Sequence, residues 1–244
     1  MTRQSRRLVV LVLLGATIAL GARFFHRFEG GEVVKQKLRG QATVADRLTQ
    51  FGPVARGRWK PYFERAGVPY PPQKLIFLGL KEEKRLEIYA SNGGDWKWIR
   101  TLPILRASGK IGPKLREGDR QVPEGFYSVE SVNPNSAYHL ALRVNYPNES
   151  DREIAAREGR DNLGGNIMIH GSNASIGCLA MGDEGAEDLF VLAEDAGRFR
   201  VEIVLSPLDF RSAKLPLDSK RPAWLREHYA KLAQFVQTLP RDPH

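Results

Sequence analysis

From Lys74 onward, short apolar runs alternate with turns rich in glycine, asparagine and charge, a rhythm that commits the body of this chain to β-structure. Leu75–Leu80 is an apolar run, Leu86–Ala90 alternates, and the charged stretch Lys81–Arg85 between them suits a hairpin turn. Asn92-Gly93-Gly94 makes the next reversal before Trp96–Leu102. Phe126–Val129, Tyr138–Val144 and Phe199–Leu205 add further strands. So many short strands predict a mainly β fold, a sandwich or barrel-like body with peripheral helices, rather than a parallel α/β sheet.

Helical spacing flanks this body. Glu32–Phe51 has a loose helical pattern broken at Gly40, and Arg56–Ala66 carries Trp59, Tyr62 and Phe63 on one side. Tyr70-Pro71-Pro72 stops regular structure. Ser150–Arg160 is a charged segment, helical or mobile. Asp183 is placed to cap a helix through about Ala196, with Glu184 and Glu187 in its first turn. Pro222–Leu239 is a helix with Trp224, Leu225, Tyr229, Leu232 and Phe235 on one face, which leaves His228 and His244 as surface residues.

The net charge of +9 invites a nucleic-acid reading until it is located. Residues 1–40 hold eight Lys/Arg against Glu29 and Glu32, a net of +6, so the remaining 204 residues carry only +3. No basic block interleaved with aromatics occurs in the body, which argues against nucleic acid as a partner. Arg3, Arg6 and Arg7 instead precede the uncharged run Leu8–Ala22, the pattern of an export signal. Extended to Phe25 the run spans ~27 Å as a helix, near the lower limit for a bilayer. It reads either as a cleaved signal or as a short membrane anchor, and both place the body outside the cytoplasm.

Cys178 is the single cysteine. Exported domains usually pair their cysteines, so an unpaired one is either a small buried hydrophobe or a group kept for its reactivity. His170 lies eight positions upstream, at the end of the apolar run Ile167–Ile169. Gly171, Ser172 and Asn173 supply turn vocabulary, and the chain returns through Ser175-Ile176-Gly177-Cys178. A strand, a tight loop and a second ascent would bring a thiol nucleophile to its imidazole base. Gly177 leaves a backbone N–H beside the sulfur unobstructed, as an oxyanion hole requires. His26 and His228 are remote in sequence and no His-x-x-x-His or Cys-x-x-Cys spacing occurs, so neither a metal nor a cofactor is assigned.

The stretch His170-Gly171 followed by Ser175-Ile176-Gly177-Cys178 resembles the signature of the L,D-transpeptidase (YkuD-type) catalytic domain, in particular its YafK-like branch. The resemblance continues through Ser108–Tyr127, Asn133–Leu140 and Asn145–Asn148, and covers Lys74–Pro207. It implies a β-sandwich or barrel catalytic domain. The implied organisation is an export segment at 1–25, a helical stalk or prelude at 26–73, the catalytic domain at 74–207 and a helical extension at 208–244. The resemblance also implies an enzyme in which Cys178 attacks the stem peptide of peptidoglycan at the carbonyl of its third residue, typically meso-diaminopimelate. His170 is then the base and the Gly171 carbonyl orients it. Gly177, Ser175, Arg120, His139 and Tyr146 are candidates for the oxyanion and substrate sites, while Lys110, Lys114, Arg116 and Arg120 are cations that substrate carboxylates could meet.

The resulting thioester would pass to an amine, building a wall link as a transpeptidase does. Alternatively it would pass to water, in the manner of an amidase that releases wall-linked lipoprotein. Two departures from the family pattern bear on this choice: Ile176 replaces a frequent histidine, and Ala180 replaces a polar or basic residue. A non-catalytic peptidoglycan-binding module with a merely buried Cys178 is the reading from another class.

Overall fold

The computed structural model describes residues 40–175, 177–215 and 222–242. The export segment, the helical spacing from Glu32 to Arg39, Ile176 and His244 lie outside the described residues. Within them, nine strands form one sheet in the order β3-β2-β1-β9-β5-β6-β7-β8-β4. In chain order these are β1 (Lys74–Leu80), β2 (Arg85–Ser91), β3 (Lys97–Pro103), β4 (Arg106–Ala107), β5 (Gly125–Ser136), β6 (His139–Val144), β7 (Met168–His170), β8 (Leu179–Ala180) and β9 (Val201–Ser206). Four α-helices among the described residues accompany them: α1 (Val44–Ala66), α2 (Glu149–Arg157), α3 (Gly182–Ala196) and α4 (Ala223–Thr238). The class is mainly β with peripheral helices, as the strand rhythm predicts.

The pairing is antiparallel except for β1 with β9 and β7 with β8. Strand β5 joins the two halves of the sheet. Its first residues, Gly125–Ser128, pair with β9, and the rest pairs with β6 across register shifts at Val129/Ser131 and Asn133/Ser136. Such irregularities bend a strand and sharpen its twist, which lets one strand serve both halves.

Strand β1 is buried along nearly its whole length because both faces of the sheet are covered there. Leu75 and Phe77 enter a core closed by α1 and α3, whereas Ile76, Leu78 and Leu80 enter a second core closed by α4. The period-two alternation of side chains thus feeds two cores from one strand. A Cβ at Gly79 would stand 2.8 Å from Leu205 Cδ2, so a side chain there would force that packed leucine to shift.

The sequence spacing sets two separate helical stretches, Glu32–Phe51 and Arg56–Ala66, but α1 runs unbroken from Val44 to Ala66 through both Pro53 and Pro61. Each proline removes a backbone donor. Burial of Trp59 and Phe63 beneath the helix, with the Trp59 indole N–H donating to Asp188 O at 2.9 Å, holds it together. From Thr43 on, the expected prelude, catalytic domain and C-terminal extension belong to one compact unit. The part of the prelude from Thr43 to Gln73 therefore packs into the body.

Two local expectations need correction. Asp183 does not cap α3, whose N-cap position is Met181 without a side-chain cap; its carboxylate instead accepts the Ser172 N–H at 2.7 Å. His228 is not a loose surface residue, because its Nε2 meets Glu124 O at 2.8 Å. The charged segment after Asn148 is helical, started by a capping box between Asn148 and Asp151.

Candidate active site

Strands β7 and β8 run parallel, with Ile169 opposite Leu179 and His170 opposite Ala180. Parallel neighbours normally need a long crossover, yet only Gly171–Cys178 separates this pair. The chain therefore has to fold back along β7 before it can ascend again. Ser172 (φ 61°) and Gly177 (φ 89°) take left-handed backbone at the two ends of that return. Continuing the register by one step sets Cys178 level with Met168. Side chains two apart on a strand share a face, so Cys178 and His170 emerge on the same side of the sheet from adjacent strands. Ile169 and Leu179 point the other way, into the core.

His170 is 1% exposed, and its Nδ1 lies 2.6 Å from Gly171 O. A carbonyl oxygen only accepts, so Nδ1 carries the proton and Nε2 is the basic nitrogen of the neutral ring. Tyr138 stacks on the imidazole with centroids 4.8 Å apart and planes 30° apart. Gly171 itself is hemmed in: a Cβ there would stand 2.7 Å from Asp183 Oδ1 and 2.8 Å from both His139 Cβ and Tyr138 O. The carbonyl that orients the base is thereby wedged among atoms with little room to move.

Cys178 is half-buried, and its Sγ–H donates to Asn166 O at 3.7 Å. Burial pushes the thiol pKa up, opposed in part by the Met168 backbone N–H and by the positive charge of Lys114. A raised pKa keeps the resting sulfur protonated at neutral pH, so reactivity depends on a base acting at the moment of attack. In the free protein, alkylation of Cys178 by iodoacetamide is expected to keep climbing with pH where free cysteine has already levelled off. A plateau reached at lower pH than that of free cysteine would show a preformed thiolate and contradict this.

The long connection from Ser108 to Glu124 closes over this corner. Ser108 Oγ accepts the Gly177 N–H at 2.6 Å and donates to Arg120 O at 2.8 Å. The Gly177 N–H, expected to face an oxyanion, is thus engaged by a hydroxyl in the free protein. Ser175 Oγ donates to Cys178 O at 2.6 Å and braces the same turn. The outer part of the connection is fixed by Lys81, whose Nζ donates to Glu124 Oε1 at 2.7 Å, Val122 O at 2.9 Å and Gly112 O at 3.1 Å. Lys81 carries no motif of its own, and Ser108 opens the Ser108–Tyr127 block of the resemblance without a role of its own there. The further sequence signal is the length of the loop that they tie down.

The other anticipated residues are distributed unevenly. Arg120 is exposed on the rim, in left-handed backbone at φ 56°, with its carbonyl held by Ser108. Lys110 and Arg116 are also exposed. Lys114 is 8% exposed and turned inward to Asp119 Oδ1 at 2.7 Å and Arg116 O at 2.9 Å, so its charge reaches the site only as a field. His139 abuts Gly171 through its Cβ, but its ring is engaged by Glu187 at 2.9 Å and by the edge of Phe51. Tyr146 is 4% exposed, and its hydroxyl donates to Lys114 O at 3.2 Å. Its contacts are those of a residue bracing the 108–124 connection. Among the described residues no group of three or more His, Cys, Asp or Glu is placed to hold a metal ion.

Comparison with known proteins adds an independent line. A family model described as YkuD, the L,D-transpeptidase catalytic domain, matches residues 73–203, a span that includes His170 and Cys178. YafK of Escherichia coli (strain K12) is 35% identical over 140 residues, which cover 55% of this chain and 54% of that protein. The chain spans about half the length of the curated relatives it matches. Among solved structures, the helical cell shape determining protein Pgp2 from Campylobacter jejuni aligns over 73% of this chain and 59% of its own, at 21% identity and a TM-score of 0.46. L,D-transpeptidase 1 from Mycobacterium tuberculosis aligns over 55% and 62%, at 20% identity and a TM-score of 0.33.

Proposed function

Because this chain belongs to the L,D-transpeptidase catalytic domain family, we propose that it is a peptidoglycan-modifying acyltransferase with Cys178 as nucleophile. The observation that carries the proposal is the adjacency of β7 and β8, which presents Cys178 and His170 on one face with the imidazole proton held at Nδ1 by Gly171 O. Nε2 of His170 takes the thiol proton as Sγ attacks the carbonyl of the third residue of a stem peptide. The negative oxygen forms beside the Cys178 N–H, and the Gly177 N–H joins it if Ser108 Oγ gives way. Collapse of the tetrahedral intermediate breaks the C–N bond, and His170 returns the proton to the departing amine. The thioester on Cys178 then passes to an amine acceptor, restoring an amide and the free thiol.

The sequence pattern of Arg3, Arg6 and Arg7 before Leu8–Ala22 supports action in the periplasm, with that segment in or cleaved at the inner membrane. Intact-mass measurement after incubation with a tetrapeptide stem tests the chemistry. An adduct of the tripeptide acyl group on the wild-type protein, absent from Cys178→Ala, is the expected result; wild-type protein that never gains the adduct overturns it. Digestion of treated sacculi then separates the outcomes of the thioester: new cross-linked dimers mean transfer, whereas released lipoprotein or monomers mean hydrolysis.

A further inference from the structure

The register of the outer strands extends the face that carries His170 and Cys178 by one more residue. Arg106 on β4 pairs with Ala180, which pairs with His170 on its other side. Paired residues on neighbouring strands point the same way. Ala107, the next residue along, packs against the main core, which fixes Arg106 on the opposite side, the side of the nucleophile. Three strands away from β4, Arg143 on β6 is brought to the same face opposite Met168. The two arginines differ in one respect. Arg143 is neutralised by Glu130 at 2.5 Å, whereas Arg106 is exposed and makes no ion pair or side-chain hydrogen bond among the described residues.

Cys178 lies two residues before Ala180, immediately ahead of β8, so it is a diagonal neighbour of Arg106. Such neighbours stand ~7–8 Å apart, within reach of a long side chain. Between them Ala180 contributes only a methyl group, fully buried. When Sγ attacks a peptide carbonyl, the amino acid on the far side of the scissile bond begins about one residue length, ~3.8 Å, further along. If that amino acid is the last of its chain, its carboxylate comes within reach of a guanidinium that has no partner among the described residues. A planar guanidinium matches a carboxylate with two parallel hydrogen bonds.

We propose that Arg106 determines donor specificity by pairing with the terminal carboxylate of the amino acid that leaves when Cys178 is acylated. The inference rests on the acyl-transfer reading above and adds the group by which the donor is chosen. In the step concerned, the S–C bond forms, the C–N bond breaks, the thiol proton reaches the leaving amine through His170, and a free amino acid departs. Arg106 itself neither gives nor takes a proton.

The test uses the full chain and two synthetic tetrapeptide stems, one with a free C-terminal carboxylate and one with a C-terminal amide. Acylation of Cys178 is followed by intact mass across a concentration series. Wild-type protein is expected to prefer the acid by on the order of 10–100-fold in kcat/KM. Arg106→Gln should raise KM for the acid toward that for the amide while kcat holds, and Arg106→Lys should recover part of the preference. Titration of both peptides into Cys178→Ala, with and without Arg106→Gln, reads the same preference as binding alone. Equal use of acid and amide by the wild type, or an undiminished preference in Arg106→Gln, overturns the assignment of Arg106 while leaving the nucleophile in place. Failure of the wild type to form any acyl-enzyme overturns both.

Discussion

Gly171→Ala is expected to cost on the order of 10²–10⁴ in the rate of Cys178 acylation while leaving a folded protein. The backbone angle of Gly171 is not the reason, since its φ is not among the positive values. Space is. A Cβ there would meet Asp183 Oδ1 at 2.7 Å, His139 Cβ at 2.8 Å and Tyr138 O at 2.8 Å. Only the first contact is a side-chain end, and that carboxylate is already committed to the Ser172 N–H. The backbone of Gly171 must therefore move, and its carbonyl is what holds the proton at Nδ1 of His170. Tyr138, one of the displaced neighbours, also stacks on the imidazole. A shift of ~1 Å in a catalytic group is worth ~10²-fold, and a base caught in the wrong tautomer costs more. The measurement is single-turnover acylation by a tetrapeptide donor, with thermal melting as the control for folding. An alanine variant that acylates within about threefold of the parent would mean that the Gly171 carbonyl does not orient the base.

How much of this was legible beforehand depended on whether the physics was local. The hairpin at Lys81–Arg85 and the strands around it follow from alternation and turn chemistry, which act over a few residues. The return of Cys178 toward His170 could also be anticipated, because glycine and serine in Gly171–Gly177 permit the reversals that a short parallel connection requires. Pairing across the sheet was not legible. Arg106 reads as an ordinary charged residue until β4 is laid beside β8, and Ser108 is one serine among many until its hydroxyl meets Gly177. Lys81 illustrates the limit most sharply. Placed in a charged turn, it looks solvated, yet its side chain passes inward to a carboxylate more than forty positions away. Asp183 failed for a related reason: a helix-capping position and a turn 11 residues earlier compete for one carboxylate, and only the fold decides between them.

That inward lysine sets the second large effect. Glu124→Gln is expected to destabilise the protein by about 3–5 kcal/mol, because it leaves a buried ammonium without its counter-charge. The Lys81 side chain is 6% exposed and that of Glu124 0%. The same carboxylate accepts the Gly112 N–H at 2.9 Å and the Tyr229 hydroxyl at 2.5 Å, so it joins the turn after β1, the 108–124 connection and α4 at one point. For a unit of this size the loss corresponds to a melting temperature lower by about 6–20 °C. The deficit should shrink as pH rises. Burial already pushes the Lys81 ammonium pKa down, and Glu124 opposes that shift; without Glu124 the folded pKa falls further below the unfolded value. Between those two values the unfolded chain binds more protons than the folded one, so stability increases with pH up to the ordinary lysine range. The paired replacement Lys81→Met with Glu124→Leu removes both charges and should recover much of the melting temperature. It cannot restore the acceptor for Gly112 or the lysine donor to Val122 and Gly112, so the connection that carries Ser108 is released from its anchor. The double variant should therefore melt near the parent yet acylate Cys178 slowly, which separates stability from alignment of the site. If Glu124→Gln melts within about 2 °C of the parent, or the double variant acylates at the parental rate, the buried pair is not what holds Ser108 against Gly177.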